Sequence, residues 1–97
     1  MSKVKMSIMK PEEFKIELAN ISILDIRTNQ EWDDFNLGGI HIPLDYLLER
    51  ISELSKEKKY VVICYNGTQS LIASKLLRSK GFKVENLEGG LEAFLSL

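Results

Sequence analysis

The chain has 97 residues, 44% of them hydrophobic and 28% charged, with a formal net charge of −1. That length sets a single domain, 1–97, as the expectation, with one modest core burying roughly 60–65% of the surface that the unfolded chain exposes. The near-neutral charge gives no bulk attraction to nucleic acid, and no apolar run approaches the ~20 residues of a membrane span.

In chain order, short strand-like and helix-like segments alternate. Val4 to Met9 reads as a first strand. Pro11-Glu12-Glu13 then starts a helix, with proline in the first turn and acids at the positive end of the dipole. Phe14 and Leu18 lie one turn apart on its face. Ile21 to Ile26 is short and rich in Ile and Leu, as a buried strand is. Asn29 to Phe35 reads as a short helix, broken by Gly38-Gly39. Ile40 to Pro43 is a short strand closed by proline. Leu44, Leu47, Leu48, Ile51 and Leu54 repeat with helical spacing and predict an amphipathic helix. Tyr60 to Ile63 is the next buried strand. Ser70 to Lys80 is a helix with Ile72, Ala73, Leu76 and Leu77 inward, and Gly81 fits its C′ position. Phe82 to Leu87 gives a last strand and Leu91 to Leu97 a closing helix. This alternation predicts a mostly parallel α/β sheet with helices on both faces.

Cys64 is the only cysteine and His41 the only histidine. One cysteine cannot form an intrachain disulfide, and the pair cannot build a zinc site, so no metal is expected. A free thiol suits a reducing compartment, and the first ten residues (MSKVKMSIMK) hold no apolar signal core. A cytoplasmic setting is therefore expected.

Cys64 stands at the carboxyl end of a predicted strand, where sites gather in open parallel sheets. The next helix aims its N-terminus, with unpaired N–H groups and positive dipole end, at the same spot. That field favours a thiolate, the nucleophilic form of cysteine. Between strand and helix lie Tyr65, Asn66, Gly67, Thr68, Gln69 and Ser70. Gly67 admits unusual backbone angles, and the polar side chains suit a loop curled round an anion. Composition alone favours a buried, inert cysteine. The strand–Cys–polar loop–helix order favours a reactive one, without naming a reaction.

Several stretches, in order, carry a resemblance. Leu24-Asp25-Ile26-Arg27 with Glu31-Trp32 is similar to an Asp-x-Arg motif followed by an acidic-aromatic pair. Gly38-Gly39-Ile40-His41-Ile42-Pro43-Leu44 is similar to a Gly-Ala-x-Asn-Ile-Pro-Leu segment. Cys64 to Ser70 matches an active-site loop, and Gly81-Phe82 with Leu87 to Phe94 a C-terminal signature. Together they resemble the rhodanese-like family, in particular the single-domain thiosulfate sulfurtransferases, across about nine-tenths of the chain.

The resemblance implies a rhodanese-like fold with a five-stranded sheet, and Cys64 as a catalytic residue that carries sulfur as a persulfide. It implies substrate binding by the loop from Tyr65 to Ser70, whose N–H groups would hold the anionic sulfur. The donor would be thiosulfate or a small-molecule or protein persulfide, and the acceptor cyanide or a thiol. No cofactor is needed, and a monomer or weak dimer is expected. Many relatives carry arginine where Tyr65 and Gln69 stand here, which weakens the case for thiosulfate as the donor.

Two competing functions are weighed beside this one. A cysteine phosphatase or arsenate reductase with such a loop needs Cys-x5-Arg, but position 70 is serine and Ile63 precedes the cysteine. A non-catalytic interaction or persulfide-carrier domain is the other alternative. Asp25 and Arg27 are expected to form structural ion pairs, Arg27 with Glu31. Trp32 is expected in the core, His41 in a structural place apart from the loop, and Gly89-Gly90 as a turn.

Overall fold

The computed structural model describes residues 7–97. Within it, five strands run parallel in the order β1-β5-β4-β2-β3. The strands are β1 (Ile8–Met9), β2 (Ser22–Asp25), β3 (Ile40–His41), β4 (Lys59–Ile63) and β5 (Lys83–Leu87). The helices are α1 (Pro11–Glu17), α2 (Asn29–Asp34), α3 (Thr68–Ser79) and α4 (Gly90–Leu95). Positions 4–6 of the expected first strand lie outside the described residues. Among the described residues, no helix is long and apolar enough to cross a membrane.

The central strands are apolar on both sides because both faces of the sheet are covered. On one face Leu24, Tyr60, Val62, Cys64 and Val84 pack with Ala73 and Leu77 of α3. On the other, Ile23, Val61, Ile63 and Leu87 pack with Phe14 of α1 and Leu91 of α4. Phe14 meets Phe94 edge-on, with ring centroids 5.1 Å apart.

Local chemistry sets the element ends. Thr28 and Glu31 form a reciprocal capping box at the start of α2. At the end of α3, the Gly81 N–H donates to the Arg78 carbonyl and the Phe82 N–H to the Leu77 carbonyl. That is a Schellman ending, as Gly81 led one to expect. Tyr60 is buried, and its hydroxyl oxygen accepts the Ser55 N–H at 3.0 Å. Tyr60→Phe takes that acceptor from the exposed Ser55 and is expected to cost roughly 0.5–1.5 kcal/mol, read as a fall of a few degrees in thermal melting.

Two expectations are corrected. Leu44 to Leu54 is not an amphipathic α-helix but two 3₁₀ turns, Leu44–Tyr46 and Ile51–Glu53. Leu47 and Leu54 are buried whereas Leu48 is 58% exposed, so no continuous apolar stripe exists to hold a regular helix. Tight i→i+3 turns seat the buried leucines over the sheet instead. In α3 the inner face is Ser70, Ala73, Ser74 and Leu77, while Ile72 is 63% exposed. The helix also starts two residues earlier than expected. Its rotation is set by Ser70, which packs against the cysteine.

Candidate active site

β4 delivers Cys64 to the carboxyl edge of the sheet, and the chain curls through Tyr65 and Asn66 into α3. Gly67 is the residue before the helix, with φ +89°. Its N–H donates to the Cys64 Sγ at 3.2 Å, and the Ser70 N–H does so at 3.3 Å. The sulfur thus lies off the N-terminal turn of a 12-residue helix, accepting two main-chain donors. Hydrogen bonds of this kind stabilise a thiolate.

The loop's carbonyls turn the other way. The Leu91 N–H donates to the Cys64 carbonyl at 3.0 Å and the Glu92 N–H to the Tyr65 carbonyl at 2.8 Å. The first turn of α4 therefore takes up the carbonyls and leaves N–H groups facing the sulfur. This backbone approach is close because Gly67 sits against Gly89 and Gly90. Gly89-Gly90 is thus the seat of the loop as well as a turn.

The six expected loop residues divide by task. Tyr65, Asn66, Thr68 and Gln69 line, with Cys64, a cleft of about 450 Å³ whose far wall is Arg27, Thr28 and Glu31. Asn66 Oδ1 accepts the Thr68 N–H at 3.0 Å and so stiffens the loop. Ser70 lies behind the sulfur, fully buried, with its Oγ 3.3 Å from Sγ. Gly67 and Ser70 are the two residues of the stretch whose main-chain N–H groups hydrogen-bond to the Cys64 Sγ. Gln69 also lines an adjoining hollow with Thr28, Leu44 and Asp45.

Of three further features, sequence reasoning passes over Asn86 and gives Arg27 and His41 structural places only. Asn86 is buried in β5 with its Oδ1 2.5 Å from Ser70 Oγ. Strand alternation would have found it, since Val84 and Asn86 share the α3 side of the sheet. Arg27 is a cleft residue, held by Asp25 through Nε at 3.1 Å and Nη2 at 2.9 Å. Contrary to expectation it meets Glu31 only at the main-chain carbonyl, because the Glu31 carboxylate is occupied by the Thr28 cap. Third, His41 is structural but adjoins the cleft wall. It stacks on half-buried Trp32 at 4.6 Å, and its Nε2 is 2.7 Å from the Arg27 carbonyl.

A second cavity of about 250 Å³ lies at the opposite end of the strands, lined by Met9, Glu13, Glu17, Lys59 and Glu85 among others, with no cysteine.

Comparisons with known proteins agree with this architecture. YtwF of Bacillus subtilis (strain 168), which carries a provisional sulfurtransferase name, is 34% identical over 73 residues, covering 74% of this chain and 71% of its own. The thiosulfate sulfurtransferase GlpE of Tolumonas auensis is 28% identical over 81 residues, 81% of this chain and 76% of its own. The crystal structure of a rhodanese-related protein from Thermoplasma volcanium superposes with a TM-score of 0.87 at 26% identity, covering 93% of this chain and 91% of its own. The family model for the rhodanese-like domain matches residues 10–97, which takes in every strand from β2 to β5 and the whole cysteine loop. By that match the chain belongs to the rhodanese-like domain family.

Proposed function

We propose that this protein is a sulfurtransferase, with Cys64 as its catalytic residue and a persulfide on Cys64 as the intermediate. The observation that carries the reading is the pair of main-chain N–H groups, from Gly67 and Ser70, donating to Sγ at the floor of an open cleft. In the first half-reaction the thiolate attacks the outer sulfur of thiosulfate or of a hydropersulfide. The donor's S–S bond breaks, and sulfite or the donor thiolate leaves with the bonding pair. In the second, cyanide or a thiol attacks the outer sulfur of the Cys64 persulfide, and the thiolate returns. Preorganised N–H groups favour the anionic states on both sides of each step. A free thiol used this way suits the reducing cytoplasm. Steady-state kinetics test the reading. Ping-pong behaviour, with parallel lines when donor is varied at several acceptor concentrations, is expected; intersecting lines would reject the covalent intermediate.

The charge of the cleft bears on the donor. Among the described residues, its lining holds one cation, Arg27, already engaged by Asp25 and by the carbonyls of Glu31 and Phe35. The sulfonate of thiosulfate therefore finds no uncommitted guanidinium, and a hydropersulfide is the better-suited donor. Gln69→Arg would place a charged fork at the cleft wall. A charge-assisted bond of roughly 1.5–3 kcal/mol, half realised, raises kcat/KM for thiosulfate about three- to tenfold. A neutral hydropersulfide tail should gain little. Equal gains for both donors would show that position 69 does not face the sulfonate.

A further inference from the structure

Behind the sulfur runs a buried polar chain, Cys64 Sγ to Ser70 Oγ at 3.3 Å and Ser70 Oγ to Asn86 Oδ1 at 2.5 Å. Ser70 is fully buried and Asn86 is 4% exposed. Proton counting makes the chain informative. An amide oxygen carries no hydrogen, so the proton between Ser70 and Asn86 is the single hydroxyl proton of Ser70. The serine then presents only lone pairs to the sulfur. That arrangement accepts an S–H and suits the thiol. Against a thiolate it would set lone pairs facing an anion.

Asn86 can resolve this, because its side chain has a donor end and an acceptor end. A half-turn of the amide brings Nδ2–H to the Ser70 Oγ. The hydroxyl proton is released and can point at the sulfur, adding a third donor to those of Gly67 and Ser70. We infer that Asn86 is a positioning residue that sets the direction of the Ser70 hydroxyl, accepting from it beside the thiol and donating to it beside the thiolate or persulfide. No covalent bond changes in the switch; the hydroxyl and the amide rotate. The inference builds on Cys64 as the reactive group proposed above, but its tests need no sulfur donor.

Asn86→Asp keeps the shape and replaces the two-ended amide with a carboxylate that, when ionised, can only accept. The Ser70 proton is then held away from the sulfur. Alkylation of Cys64 by iodoacetamide, which reads the thiolate, is expected to slow about tenfold or more at neutral pH, with its pH profile displaced upward. Other charged or titratable groups around the cleft are Arg27, with Asp25 behind it, His41 against the Arg27 carbonyl, Glu31 across the cleft, Tyr65 in the loop and Glu92 in the first turn of α4. None of their side chains hydrogen-bonds to Ser70 or Asn86 among the described residues. The Ser70→Ala background isolates the route. There the Asn86→Asp displacement should shrink, because no hydroxyl remains to be misdirected. A displacement undiminished by Ser70→Ala, or an unchanged profile in folded Asn86→Asp, overturns the inference.

A measurement on the unmodified protein covers the case in which Asn86→Asp does not fold. The side-chain amide protons of Asn86, followed by NMR across pH, should shift with the same midpoint as alkylation. An amide signal that stays constant while the sulfur titrates overturns the inference. Lack of sulfur loading would remove the proposed transferase reading and leave both results interpretable.

Discussion

Gly90→Ala is expected to destabilise the fold and spoil the cysteine loop together. Gly90 has φ +63°, in the left-handed region that disfavours a side chain. A Cβ there would lie 2.6 Å from the Cys64 carbonyl oxygen and 2.6 Å from the Gly67 nitrogen, and would also strike the Tyr65 carbonyl oxygen. All three are backbone atoms, so no side chain can swing aside. The loop would have to retreat from α4, loosening the bonds from the Leu91 and Glu92 N–H groups. Strain and clash together are expected to cost roughly 3–5 kcal/mol, a large share of the 5–15 kcal/mol that holds an ordinary domain together. Thermal melting should fall by more than about 10 °C. Cys64 should also alkylate more slowly, as its N–H donors lose their aim. A melting point within a few degrees of wild type, with unaltered alkylation, would contradict the interlocked-backbone account.

Cys64→Ser should have the opposite signature, with stability kept and transfer lost. Serine fits the same space at the end of β4, and its oxygen can still accept from the Gly67 and Ser70 N–H groups. The change in stability should stay within about 1 kcal/mol. The hydroxyl is not ionised near neutral pH and forms no persulfide, so transfer from either donor to cyanide should drop to background. Transfer retained by a clean, folded preparation would remove Cys64 from the chemistry.

Much of the fold could be read from short cues. The β-rich runs at Ile21 to Ile26 and Tyr60 to Ile63, and the Gly81 helix ending, follow local rules that tertiary contacts only reinforce. The Leu44 to Leu54 segment failed because helical spacing does not reveal whether a partner face exists for every apolar position. Leu48 has none. The rotation of α3 was missed for a related reason. Periodicity placed Ile72 inward, while the contact of Ser70 with the sulfur and with Asn86 turned that residue to solvent. The loop itself was legible, since a cysteine before a polar, glycine-containing stretch and a helix has few physical readings. What supports it was not. Gly90 and Asn86 lie far from Cys64 in sequence, and only the pairing of β5 with β4 and the return of α4 bring them to the loop.

The central claim is that sulfur rides on Cys64, and intact mass spectrometry tests it most directly. The protein is incubated with thiosulfate or with a small hydropersulfide, freed of donor, weighed, then treated with cyanide and weighed again. The account predicts a gain of one sulfur atom, more complete with the hydropersulfide, its loss on cyanide, and no gain in Cys64→Ser. No gain from either donor in folded wild-type protein, or an equal gain in Cys64→Ser, would contradict it.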